Sequence, residues 1–90
     1  MSAQLEVEQA LDATVYPNPS NDQFILTITG NEPGISYIVI HDLAGRIVEK
    51  IENISSGLPV EFGKQLAAGV YQVEVIRGEE RRILRIVKSE

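Results

Sequence analysis

The feature that most constrains this chain is a rhythm. Short runs of β-branched and aromatic residues alternate apolar with polar, and Gly, Pro, Asn or Ser clusters break them about every ten residues. A period of two sends successive side chains to opposite faces of a strand, so each run carries one apolar face that another layer must cover. In residues 23–29, QFILTIT, that face is Phe24, Leu26 and Ile28. In residues 36–41, SYIVIH, it is Ile38 and Ile40, and in residues 58–62, LPVEF, it is Val60 and Phe62. The cleanest alternation is VYQVEVI, residues 70–76, with Tyr71, Val73 and Val75 against Gln72 and Glu74. With residues 46–51 (RIVEKI) and 81–88 (RRILRIVK), the count reaches about seven short strands, and no helix longer than a turn or two is required. This predicts an all-β fold, a seven-stranded antiparallel Ig-like β-sandwich, with an open barrel as the architectural alternative. The expected core is Phe24, Leu26, Ile38, Ile40, Val60, Phe62, Leu66, Tyr71, Val73 and Val75.

The breaks between the runs have their own chemistry. Asp42-Leu43-Ala44-Gly45 reads as a tight hairpin, with Asp at the first corner of a turn and Gly45 in a left-handed position behind it. Leu66-Ala67-Ala68-Gly69 and Gly78-Glu79-Glu80 read as further turns, NEPG (31–34) as a break, and NISSG (53–57) as a loop. Ahead of the first long strand, Pro17 and Pro19 flank Asn18. Both prolines fix φ and lack an N–H, so this segment is a stiff collar and not a ladder strand, with residues 18–21 suited to a type I turn. Residues 1–13 are acidic, lack Gly and Pro, and show no sustained apolar period, so they read as a linker that adds little to the folded unit of residues 14–90. Met1-Ser2-Ala3 has the look of an added start, and a longer polypeptide is expected on that side.

Composition narrows the function. The chain has no cysteine, which removes disulfides, thiolate metal sites and cysteine nucleophiles. Its single histidine, His41, has no second histidine for a dedicated zinc site, and no serine sits in a nucleophile-elbow context. Asp22, Glu32 and Asp42 lack calcium-loop spacing. The expectation is therefore a non-catalytic domain with no cofactor and no metal. A net charge of −5 disfavours nucleic acid, and no apolar stretch is long enough to insert in a bilayer as a helix. The charge is uneven: residues 1–76 hold three basic and ten acidic side chains, whereas residues 77–90 hold Arg77, Arg81, Arg82, Arg85 and Lys88 against three acids. That cationic end is either a sheet edge guarded by charge or a basic recognition edge.

Four fragments, in order, carry a resemblance: VYPNPSNDQFILTI (15–28), YIVIHDLAGRIV (37–48), LAAGVYQVEV (66–75) and RILRIVK (82–88). Together they resemble the C-terminal sorting domain of type IX secretion cargo in Bacteroidetes. That family opens on Pro-Asn-Pro, has an Asp-x-x-Gly-(Arg/Lys)-x-Val hairpin and a Leu-x-x-Gly-Val-Tyr strand, and ends in a short basic-apolar strand. The motif residues here are Pro17, Asn18, Pro19, Asp42, Gly45, Gly69 and Tyr71, with Arg85, Val87 and Lys88 in the last strand. The resemblance implies a secretion signal that takes a cargo, fused ahead of it, through the periplasm and across the outer membrane. Its implied partners are the outer-membrane type IX translocon and a sortase-like peptidase that cuts in the preceding linker, the cargo then being attached to the cell surface or released. The last strand is apolar on both faces, with Ile83 and Val87 on one and Leu84 and Ile86 on the other, as suits a strand that both closes a sheet and meets a partner. Edge strands also leave a weak homodimer open. The rival reading is an Ig-like adhesion or carbohydrate-binding module of a secreted enzyme, disfavoured by the lack of tryptophan and the few tyrosines for sugar stacking.

Overall fold

A computed structural model describes residues 11–30 and 34–90. Seven strands follow in chain order: β1 (Asp12–Tyr16), β2 (Phe24–Thr29), β3 (Ile35–His41), β4 (Ile47–Ser55), β5 (Val60–Phe62), β6 (Gly69–Arg77) and β7 (Glu80–Lys88). They form a three-stranded sheet, β1-β2-β5, and a four-stranded sheet, β4-β3-β6-β7, with every pairing antiparallel. The two sheets make a β-sandwich, as the alternation requires: each has one apolar face, and the faces close on each other. From the smaller sheet come Ala13, Phe24, Leu26, Ile28 and Phe62; from the larger come Ile38, Ile40, Ile54, Tyr71, Val73, Val75 and Ile86. Phe24 and Phe62 are register partners, and their rings stack 5.5 Å apart. All the expected core side chains lie in this cluster or, for Val60 and Leu66, pack against it.

The structure departs from the sequence reading at four places. The first strand begins at Asp12, with Asp12 opposite Thr29 and Ala13 opposite Ile28, and Leu11 and Ala13 are buried in the core. Residues 11–13 therefore belong to the fold and not to a linker; a single strand of three inward residues is too short to show a period. Residues 1–10 of the expected linker, and 31–33 of the NEPG break, lie outside the described residues.

The second departure is in NISSG, where β4 continues to Ser55 and Ile54 is buried. Ser36 pairs with Ile54 but Ile38 with Ile51, so β4 spends one extra residue there, a bulge. Asn53 absorbs it with φ 61°, a left-handed conformation that Asn tolerates best among non-glycine residues. Strict alternation would have turned Ile54 outward. Third, residues 17–19 run as a bend and Ser20 forms a bridge to Lys88, so residues 18–21 are not the type I turn expected. Lys88, expected on an exposed edge, is the fourth and is taken up below.

Candidate functional site

Among the described residues β7 is an edge strand: β6 lies on one side of it and no strand of the same sheet on the other. Its register with β6 runs without a shift from Arg77 opposite Glu80 to Gly69 opposite Lys88, so parity holds along its whole length. Arg82, Leu84, Ile86 and Lys88 face the other sheet, where Ile86 and Lys88 are buried, and Arg81, Ile83, Arg85 and Val87 face outward. In an antiparallel pair the N–H and C=O of one residue point to the same side. Val87 and Arg85 direct theirs away from β6, toward the collar.

The collar meets them there. Asn18 donates its side-chain amide to the Arg85 carbonyl at 2.9 Å and accepts from the Val87 N–H at 2.9 Å, so one planar amide copies the pairing of a neighbouring strand residue. Two residues on, the Ser20 N–H donates to the Val87 carbonyl and the Ser89 N–H donates to the Ser20 carbonyl, a parallel bridge between Ser20 and Lys88. Ser20 is itself held by its hydroxyl, which donates to the Gln23 carbonyl and accepts from the Asp22 N–H. Asp12 at the start of β1 pairs with Arg82, 3.1 Å away. The Ala13 N–H, then Arg82, lower the Asp12 carboxyl below its ordinary value of 3.8.

Lys88 corrects the picture of a basic edge. It points between the sheets, is only 6% exposed, and donates its ammonium to the carbonyls of Gly63 and, at 3.2 Å, Lys64, just beyond β5. Parity demands this position: Lys88 follows Leu84 and Ile86 on the inward face. Gly63 fits only as glycine, since its φ is 87° and a Cβ would lie 2.9 Å from the Phe24 ring. Of the other cations at this end, Arg77 is buried against Ser56 and Glu80, Arg81 pairs with Glu74, and Arg82 with Asp12. Among the described residues Arg85 alone of these has neither burial nor an ion pair.

The remaining motif residues are turn machinery at the same end of the sandwich. Tyr71, opposite Ile86, donates its hydroxyl to the Ala67 carbonyl at 2.6 Å and so ties the loop ahead of Gly69 to β6. Asp42 accepts from the N–H groups of Ala44 and Arg46 and pairs with the Arg46 guanidinium at 2.9 Å. The Arg46 N–H is the main reason its carboxyl is held below its ordinary 3.8. Gly45 sits behind it at φ 86°, as the hairpin reading requires. His41 Nε2 lies 3.2 Å from the Glu74 carboxylate, beside an open cleft of about 330 Å³ rimmed by Leu43 and Ile83. Among the described residues no group of three His, Asp or Glu side chains could hold a metal ion, and no helix is long and apolar enough to cross a membrane.

The family model of the secretion system C-terminal sorting domain matches residues 14–89. This chain belongs to that family. No curated protein matches it. The sorting domain of the type IX system is a secretion signal and not a catalytic domain, and it directs secretion of a fused cargo across the outer membrane. In this sorting domain the first motif, Pro17-Asn18-Pro19, and the last, Arg85 to Lys88, are one joined structure, bonded through Asn18 and Ser20. The sequence placed both motifs but held no signal that they touch, because the contact spans most of the chain. Gly63, Ser20 and Leu11 were missed as well; a glycine following the LPVEF strand was the one local hint.

Proposed function

We propose that the machinery reads this sorting domain at its C-terminal strand, with the collar presenting that strand. The supporting observation is the amide of Asn18, whose NH2 group donates to β7 and whose oxygen accepts from it, with no other partner among the described residues. A strand at the rim of a sheet, held at one end and without a partner among the described residues along the rest, is a natural point of attachment for another protein. The cargo joins ahead of β1, the domain engages the outer-membrane translocon, and a sortase-like peptidase cuts the connecting segment, after which the cargo is attached to the surface or released. Because Leu11 and Ala13 are core residues, the cut falls before Leu11. Pro17, Pro19, Asp42, Gly45, Gly69 and Tyr71 serve the signal indirectly, by fixing the collar, the β3–β4 turn and the loop into β6, while Arg85 and Val87 lie on the surface that is read.

The test is a reporter fused to the N-terminus of residues 1–90 in a type IX-competent bacterium, with mass spectrometry of the exported reporter. Export with a new C-terminus ahead of Leu11 is expected. Export with the domain still attached refutes the cleavage step, and cleavage after Ala13 refutes its placement.

A further inference from the structure

Among the described residues the outward backbone of β7 is spoken for at one end only. The Arg85 carbonyl and the N–H and C=O of Val87 are taken by Asn18 and Ser20. By the same parity the N–H and C=O of Arg81 and Ile83, and the N–H of Arg85, point away from β6. None of them has a backbone partner outside the strand ladders among the described residues. The bare stretch is thus residues 81–85. Its outward side chains read cation, apolar, cation: Arg81, then Ile83, 54% exposed, then Arg85. Exposure of a large isoleucine between two arginines gives a pattern that a complementary strand can match.

Resting on the reading that β7 is the recognition strand, we propose that residues 81–85 are a strand-addition site for an extended acidic segment of a partner protein. The segment would carry an acidic residue opposite Arg81, an apolar residue opposite Ile83 and an acidic residue opposite Arg85. Charge decides against a second copy of this chain as the occupant. Antiparallel self-pairing centred on Ile83 sets Arg81 against Arg85 of the other copy, like charges directly opposite. The same arginines that repel a second β7 select an acidic strand. Arg81 already leans on the half-buried Glu74 with its own guanidinium in solvent, and Arg82 pairs with Asp12 on the exposed surface, where an ion pair contributes little and exchanges readily. The Asn18 bridge sets the limit of the site, since a partner strand running beyond Arg85 meets an edge already paired.

The experiment uses the 90-residue chain and two fluorescent nine-residue peptides, one alternating Glu and Val with Thr spacers (TETVTETVT), the other with Lys in place of Glu. Binding is read by anisotropy and mapped by amide shifts. Ile83→Pro removes one outward N–H without touching the ladder to β6, a substitution edge strands accept, and Arg85→Glu reverses the unpaired charge. Retained amide dispersion in both variants shows that they fold. The proposal expects the acidic peptide to bind with shifts confined to 81–85, about tenfold weaker binding to each variant, and no binding of the lysine peptide. Equal binding to wild type and Ile83→Pro, equal binding of both peptides, or concentration-dependent dimerisation through β7 would each overturn it. Export by the folded Ile83→Pro fusion at the wild-type level would also overturn it while leaving the sorting role intact. Retention of the unaltered fusion in the periplasm would instead count against the sorting role, whatever the peptides do.

Discussion

Lys88 is where the structure makes its sharpest demand on stability. Its ammonium is buried, has no carboxylate beside it among the described residues, and is satisfied by the carbonyls of Gly63 and Lys64. Lys88→Met keeps most of the volume, loses two charge-assisted hydrogen bonds of roughly 1.5–3 kcal/mol each, and recovers much of that by no longer desolvating a charge. A net loss of about 1–2 kcal/mol follows from those two opposing quantities. Lys88→Ala also strips three methylenes, Cγ to Cε, from between the sheets, at about 0.8 kcal/mol per methylene, for roughly 2.4 kcal/mol more. Lys88→Glu aims a carboxylate at two carbonyl oxygens in a buried site and costs at least about 3–5 kcal/mol, as for a buried charge without a partner. Urea melts followed by circular dichroism read the series: with a slope of about 1 kcal/mol per molar, the Met variant shifts by about 1–2 M and the Ala and Glu variants each by at least about 3 M. A Lys88→Glu midpoint equal to wild type would mean that the side chain lies in water and that the inward parity of β7 is wrong.

Truncating Leu11 to Ala is expected to cost about 2–5 kcal/mol because Leu11 is buried in the core, and a fragment of residues 14–90 should melt well below the full chain; equal melting temperatures would return residues 11–13 to the linker. Gly63→Ala should destabilise by more than about 1 kcal/mol, from its left-handed φ and the contact with Phe24, as read by a urea midpoint, whereas Ala at the open Gly45 position meets no such contact. Asp42 and Asp12 both have carboxyls lowered in the fold, so their contribution is complete above the ordinary value of 3.8 and is lost as pH falls through their folded values. Asp42→Asn should therefore flatten the acid limb of stability against pH, and an unchanged limb would remove Asp42 from that role.

Much of the sandwich was legible because period-two alternation is a direct imprint of burial. Phe24, Leu26 and Ile28, and Tyr71, Val73 and Val75, are read straight from their spacing and are buried together. The same spacing failed at Ile54, since a bulge at Asn53 costs one residue of phase and leaves only an asparagine to mark it. Lys88 was misplaced by residue type when its parity with Ile86 already turned it inward; charge is a weaker guide than phase on a strand of constant register. The joint between Asn18 and β7 was not legible at all. It depends on two segments at opposite ends of the chain, and a side-chain amide pairing with backbone leaves no periodicity in either.

Partition of a reporter fused to the N-terminus of this chain, measured in periplasm, surface and medium fractions of isogenic strains with and without the type IX machinery, tests the central claim most directly. The account predicts a reporter outside the outer membrane in the competent strain and confined to the periplasm in the deficient one. A reporter that stays periplasmic in both, with the domain folded and protease-resistant, would contradict it.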